Sequence, residues 1–311
     1  MEEKTAVVFP GMSQSGFADV GKFMVLDPFA RRRLAIADEV LGYRLLDALY
    51  AAGDDPYSES AQVAFLVNSL ALADRATEEM GMVPDFCAGP SFGQKAAAVF
   101  SGALDYPEVI RLTAELAACE RDYFAAEHTD VVTLTVVRVD EGKFQEYLDG
   151  LTARGRWYDI SGHLDEGMFM VSVRENLLDE VKAAVSGMGG YSMSVMRPPV
   201  HAGAFAGLRK LAEREVFGRY RIGEPRLPVI SDSDGAVVRS AAGMRRMLLD
   251  TFDRPIQWPD MVATLLKSDV RTMYVTGPEN LFRRVKCTVR NFSVVAVDPK
   301  SALRTILRPA A

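Results

Sequence analysis

Cysteine, histidine and long apolar runs are all scarce in this sequence. Its 311 residues include three cysteines, Cys87, Cys119 and Cys287, scattered and without C-x-x-C spacing. That pattern excludes a disulfide framework and a structural zinc site, and it points to a reducing cytoplasm. No apolar stretch approaches the ~18–20 residues that span a bilayer. The segment Met1–Phe9 carries one basic residue, Lys4, and a very short apolar run, so it does not read as a secretory signal. An excess of positive charge is lacking too. The formal net charge is −6, which leaves binding to bulk nucleic acid without support. Internal repeats and low-complexity tracts are absent.

What is present suffices for a folded protein. Hydrophobic residues make up 49% of the chain and charged residues 25%, enough to bury a sizeable core. The length suggests two domains, or one large domain with an insertion. Charge is unevenly spread. Lys and Arg outnumber Asp and Glu over residues 201–311, whereas acidic residues dominate residues 1–200. A basic C-terminal third on an acidic protein is either a docking surface for a small acidic partner or a set of solvated helix faces.

Hydrophobic patterning gives the order of elements. Thr5–Phe9 is a β-branched and aromatic run stopped by Pro10-Gly11, as in a buried strand followed by a turn. Helical patterns cover 28–50 and 58–80. A second short strand, Pro84–Ala88, runs into Gly89-Pro90-Ser91-Phe92-Gly93 and an Ala-rich helix, Gln94–Phe100, before a helix over Tyr106–Glu127. Alternating strands and helices predict a parallel α/β sheet. Residues 129–196 follow another grammar. Strand, helix, two strands, helix and strand succeed one another, the β-α-β-β-α-β order of a ferredoxin-like unit. Helices near 203–217, 241–251 and 258–267 and strands at Leu227–Ile230 and Thr272–Val275 complete the chain. The expected fold is α/β: a large domain with a short parallel sheet and an α/β-hydrolase-like core (residues 1–128 and 197–311), plus an inserted ferredoxin-like α+β subdomain (129–196).

Gly89-Pro-Ser91-Phe-Gly93 has the G-x-S-x-G form between an apolar strand and a helix, the context a nucleophile elbow requires. The glycines permit the sharp turn, and the helix start directs N–H groups at a developing oxyanion. A serine nucleophile needs a base, and three histidines exist. His128 sits in a polar stretch at a helix end. The base is therefore His201 or His163. The rigid Arg197-Pro-Pro-Val200 setting at a domain junction favours His201.

Several motifs, in order, resemble the malonyl-CoA:acyl carrier protein transacylases and the acyltransferase domains of polyketide synthases. Phe9-Pro-Gly11 resembles the family's N-terminal F-P-G-Q-G loop, and Ala88-Gly-Pro-Ser91-Phe-Gly93 its A-G-H-S-x-G elbow. Ser101-Gly-Ala-Leu-Asp105 resembles the segment after the elbow helix. His201 stands where the family has its F-H-S-P histidine. Arg254-Pro-Ile-Gln-Trp258 resembles N-P-V-x-W, and Tyr274-Val-Thr-Gly-Pro278 the late E-x-G-P-G turn. The resemblance implies a discrete acyltransferase with a Ser91–His201 dyad and ping-pong transfer through an acyl-serine. It implies an oxyanion hole from the backbone N–H groups of Met12 and Phe92, and a main-chain carbonyl near Thr251 that orients the histidine. The substrates would be an acyl thioester and one or more acidic acyl carrier proteins. Phosphopantetheine or coenzyme A would be the thioester carrier, with no bound cofactor or metal, no nucleic acid and no membrane.

Departures from the family pattern bear on the acyl group. The malonyl enzymes place an Arg on the helix after the elbow to pair with the substrate carboxylate. An ungapped count puts Leu116 there, and Arg121 lies on another side of that helix. Pro90 replaces the common His before the nucleophile. The polar loop of the small subdomain appears as Gly162–Met168, with His163, Asp165 and Glu166. Leu116, Pro90, His163 and Val200 are thus the expected acyl pocket, for a group without a free carboxylate, such as an aminoacyl or dipeptidyl unit of the kind handled in macrolactam pathways. Malonyl transfer from coenzyme A and editing hydrolysis of acyl carrier thioesters are the alternatives. Arg283, Arg284, Lys286, Arg304 and Arg308, with Arg154 and Arg156 across the cleft, are the expected carrier-protein docking charges. Ser231-Asp-Ser-Asp-Gly235 lacks the remaining ligands of a calcium loop and reads as a turn.

Overall fold

Ala6, Val7, Val8 and Phe9 are completely buried, so the first strand, Lys4–Val8, has no solvent face and lies inside a sheet. In the computed structural model, which describes residues 3–12, 15–53, 55, 57–197, 199–279 and 281–306, it is the third of six strands. The order is Ser293–Val297, Val270–Thr276, Lys4–Val8, Phe86–Ala88, Val229–Ile230 and Val237–Val238. Neighbours are parallel except for the last pair, which is an antiparallel hairpin. Parallel strands are buried on both faces, which is why Thr5–Phe9 and Phe86–Ala88 read as short continuous apolar runs.

Helices cover the sheet. A central one of 22 residues, Glu59–Met80, is buried from Ser60 to Ala73 and carries the main apolar cluster. The pattern over 28–50 resolves into two helices, Pro28–Leu41 and Leu45–Ala51, with the Asp38 carboxylate accepting from the Leu45 N–H at 2.8 Å at the junction. Asp27 caps the first of these, accepting from Phe29 N and Ala30 N, and also accepts from the buried Arg75 guanidinium at 2.8 Å. One carboxylate therefore meets three donors in an apolar interior, the condition under which a buried charge is tolerated.

The second sheet is antiparallel, ordered Tyr191–Met196, Val131–Val137, Met168–Arg174, Tyr158–Asp165. Helices Glu141–Ala153 and Leu178–Gly187 pack on one face around their own cluster of apolar residues, including Phe144, Leu148, Val181 and Val185. The β-α-β-β-α-β connectivity and this strand order are ferredoxin-like. A fifth strand comes from elsewhere in the chain. Ile256–Gln257 pairs in parallel with Gly162–His163, and the Gln257 N–H donates to the Asp232 carbonyl at 2.6 Å. The two sheets are thereby tied together beside the site described next. Among the described residues, no helix is long and apolar enough to cross a membrane.

Candidate active site

Three adjacent parallel strands end at one edge of the large sheet. Lys4–Val8 leads to Met12, Phe86–Ala88 to Ser91, and Val229–Ile230 to Asp232. Crevices at the carboxyl ends of parallel strands are where open α/β sheets bind ligands. Ser91 occupies the left-handed backbone region, φ +55°, a strained setting for a residue with a side chain, costing on the order of 1–3 kcal/mol. The turn closes because its flanks are glycine. A Cβ on Gly89 would overlap the Gly93 carbonyl, and one on Gly93 would overlap the Phe9 carbonyl. The turn is also held from behind. The Asp232 carboxylate accepts from the Ser91 N–H at 2.6 Å and from the Gln94 side-chain amide.

His201 Nε2 lies 2.7 Å from Ser91 Oγ. The ring is buried, and burial pushes its pKa down to about 4, with the Arg254 backbone opposing that shift. It is therefore neutral near pH 7 and free to accept a proton. Its backbone N–H donates to the Phe252 carbonyl at 3.1 Å. Near Thr251, where an orienting main-chain carbonyl is expected, Phe252 holds the His201 backbone and the Arg254 backbone acts on the ring, while Thr251 itself lines the cavity. Nδ1 is buried and makes no hydrogen bond of good geometry. Burial likewise pushes Asp232 up, to about 7, with the Ser91 and Gln94 donors holding it down.

A cavity enclosing about 670 Å³, its open mouth included, begins at Ser91 and is lined by Met12, Phe92, Leu116, Val200, Phe217 and Leu248 among others. The N–H groups of Met12 and Phe92 donate to no other group among the described residues. Two free N–H groups beside a nucleophile are what a developing oxyanion needs. Leu116 and Val200 are on the wall as expected; Pro90 and His163 are not. Pro90 is buried behind the turn, its carbonyl accepting from Gly93 N. His163 belongs to the strand Tyr158–Asp165 rather than to a loop, and its ring packs edge-on against Phe169, 5.2 Å between centroids. Asp165 is engaged by the Cys287 and Glu166 N–H groups.

The cavity also holds polar groups that the sequence reading overlooked: Lys95, Glu120, Gln62 and Tyr57. A charged residue inside the Ala-rich elbow helix was the available signal for Lys95. Arg121 turns away, lining a second cavity with His128 and Arg197 and pairing with Asp122 at 3.1 Å.

The basic residues expected to dock a carrier protein are differently placed. Arg284, Lys286 and Arg304 are exposed, and Arg154 is exposed but paired with Glu180 at 2.7 Å. Arg283 is a correction. It is largely enclosed and ion-paired with Asp298 at 2.9 Å, so it serves the fold. Arg308 lies outside the described residues.

Residues 135–196 match the family described as VinK acyltransferase small domain. The malonyl CoA-acyl carrier protein transacylase of Bacillus subtilis (strain 168) is 24% identical over 308 residues, covering 96% of this chain and 95% of that protein. The chain is thus similar to malonyl-CoA:acyl carrier protein transacylases over nearly its whole length. The polyketide biosynthesis protein ThaF of Burkholderia thailandensis is 25% identical over 98% of this chain, which spans only 26% of that longer protein. Among solved structures, a malonyl-transacylase in complex with its type II polyketide synthase acyl-carrier protein superposes with a TM-score of 0.84 at 22% identity, covering 98% of this chain and 99% of that one. FabD from Acinetobacter baumannii superposes with a TM-score of 0.82 at 18% identity, covering 99% of each chain. The fold of these transacylases thus extends over both sheets of this chain.

Proposed function

We propose that this acyltransferase moves an acyl group from a thioester to the phosphopantetheine thiol of an acyl carrier protein. The observation that carries this reading is the 2.7 Å contact between Ser91 Oγ and a neutral His201, in a cavity with two unengaged backbone N–H groups. Oγ attacks the thioester carbonyl as Nε2 takes its proton. The oxyanion accepts from Met12 and Phe92, each donor worth about 10²–10³ in rate. Collapse expels the thiol, which regains the proton from His201, and leaves an acyl ester on Ser91. A second thiol reverses the sequence with the same imidazole as base.

Leu116 at the wall, where the resemblance places a carboxylate-binding Arg, favours an acyl group without a terminal carboxylate. An aminoacyl or dipeptidyl unit in polyketide-type biosynthesis meets that description. The exposed basic residues Arg284, Lys286 and Arg304, with Arg154, would form the rim that faces the acidic carrier protein.

The test is intact mass. Wild-type protein incubated with acyl thioesters gains the acyl mass, and a carrier protein with free phosphopantetheine removes it. Ser91→Ala gains none. An acyl adduct on Ser91→Ala, or faster labelling by malonyl-CoA than by neutral acyl thioesters, overturns the corresponding part of the reading. Loss of the acyl group to water in preference to the carrier thiol would make the protein a hydrolase.

A further inference from the structure

Two charged side chains face the cavity at Ser91 without taking part in the proton relay. Lys95 lies one helical turn beyond Ser91 on the elbow side, and Glu120 one turn beyond Leu116 on the helix Tyr106–Glu127. Residues four apart share a helix face, so the geometry that brings Leu116 to the wall brings Glu120 there as well. Neither group is satisfied as a buried charge ordinarily is. The Lys95 ammonium rests 4.2 Å from the Phe92 ring centroid and makes no hydrogen bond or ion pair within 4.0 Å among the described residues. Glu120 is hydrogen-bonded by Gln62, which also donates to the Tyr57 carbonyl at 3.2 Å. Burial pushes Lys95 down and Glu120 up, each partly offset by the other's charge. A donor and an acceptor of opposite charge thus share one enclosed space without touching.

The chemistry that satisfies both is narrow. A carboxylate in the acyl chain would pair with Lys95 but crowd Glu120, and an ammonium would do the reverse. An alkyl chain would seal both charges away from water with no partner. A hydroxyl puts donor and acceptor on one atom. A trans amide directs its carbonyl oxygen and its N–H to opposite sides. We propose that Lys95 and Glu120 are the specificity-determining pair of this cavity and read an amide in the acyl chain, the carbonyl accepting from Lys95 and the N–H donating to Glu120. The substrate class is then a peptidyl-type thioester, an N-acylated aminoacyl group. The inference rests on the acyl transfer proposed above.

The experiment compares pantetheine thioesters of matched length. N-acetylglycyl is set against its isosteres 4-oxopentanoyl, which keeps the acceptor and loses the donor, and pentanoyl, which lacks both. A second series one methylene longer, starting from N-acetyl-β-alanyl, and malonyl-pantetheine complete the panel. The pantetheine is constant, so its own amides cancel. The rate of acyl-Ser91 formation is read by intact mass. The expected order in at least one series is amide over ketone over alkyl, with amide over alkyl by about tenfold or more, since polar sites reject analogues that leave them unpaired. Glu120→Gln should narrow the amide-over-ketone ratio severalfold. The double variant Lys95→Met with Glu120→Leu should reverse the order and acylate with pentanoyl faster than wild type does, a gain that a merely structural role would not produce. Equal or faster wild-type acylation by the alkyl chains overturns the specificity assignment while leaving the transferase intact. Malonyl as the fastest probe overturns it by making Lys95 a carboxylate receptor. Acylation by none of the probes removes the transferase reading itself, and the specificity assignment with it.

Discussion

The Asp232 carboxylate accepts a 2.6 Å hydrogen bond from the backbone N–H of Ser91, 141 residues earlier in the chain. Its other oxygen accepts from Gln94, and its own carbonyl accepts from Gln257, the residue that extends the small sheet. The turn that carries the nucleophile is therefore anchored to the segment joining the two sheets. Asp232→Asn keeps one acceptor but turns an N–H₂ against a donor. We expect acyl-Ser91 formation to slow by about 10²-fold, the scale of a misplaced reacting group. Adding Gln94→Glu restores a complementary set: the new amide's oxygen accepts from the Ser91 N–H, and its N–H₂ donates to the new carboxylate. That double variant should recover most of the rate. A double variant no faster than the single one would show that Asp232 does not act by orienting the turn.

Burial also separates the titrations of His201 and Asp232 from their ordinary values. His201 falls to about 4, so the unfolded chain binds its proton first, and this residue makes stability fall as pH drops from 6.5 toward 4. Asp232 rises to about 7, so the folded protein binds that proton first, and this residue makes stability rise as pH drops from 7 toward 4. The two slopes oppose each other over the same window. Denaturation midpoints of Asp232→Asn should therefore lose stability more steeply than wild type between pH 6.5 and 4, by up to about 1.4 kcal/mol per pH unit. Parallel pH profiles for the two proteins would contradict this.

Much of this site was legible in sequence, for a physical reason. Gly89 and Gly93 leave room for carbonyl groups that a Cβ would strike, and Phe9-Pro10-Gly11 ends a strand whose last residues are fully buried. Local constraints of that kind appear directly in residue types. The β-α-β-β-α-β order of 129–196 was readable because each element there has its own period. Asp232 and Glu120 were not legible, since their meaning lies in contacts between distant segments, and Lys95 shows in the sequence only as a charge inside an Ala-rich helix. Ser231–Gly235 does turn, as its composition indicates, yet the turn also delivers a carboxylate to the nucleophile. His163 misled because strand alternation turns it toward Phe169, away from the cavity, and Arg283 because sequence does not reveal its pairing with Asp298.

Arg75 and Asp27 set a prediction for the fold. Both are buried, and Asp27 also caps the helix Pro28–Leu41. Asp27→Ala removes a cap worth about 1 kcal/mol and strands a guanidinium that, among the described residues, keeps only Glu79, at 2.7 Å, as a charge partner. Breaking a buried pair typically costs about 3–5 kcal/mol. Chemical denaturation should show a loss near the lower end of that range, because Glu79 remains. A loss below about 1 kcal/mol would mean that water reaches Arg75 in the folded protein.

Charge reversal at the basic rim separates docking from chemistry. Arg284 and Lys286 are exposed, whereas their neighbour Arg283 is paired with Asp298 at 2.9 Å. Rim charges act chiefly on encounter rates and are screened by salt. Arg284→Glu with Lys286→Glu should leave acylation of Ser91 by a pantetheine thioester unchanged and slow transfer to an acidic carrier protein by about tenfold at low salt. The difference should shrink as ionic strength rises past the point where the Debye length falls to about 8 Å. Arg283→Glu should behave differently, placing two carboxylates together and lowering the melting temperature. Unchanged transfer in the Arg284 and Lys286 double variant would move the docking surface away from this rim. An equal loss of self-acylation would mean instead that these residues support the cavity.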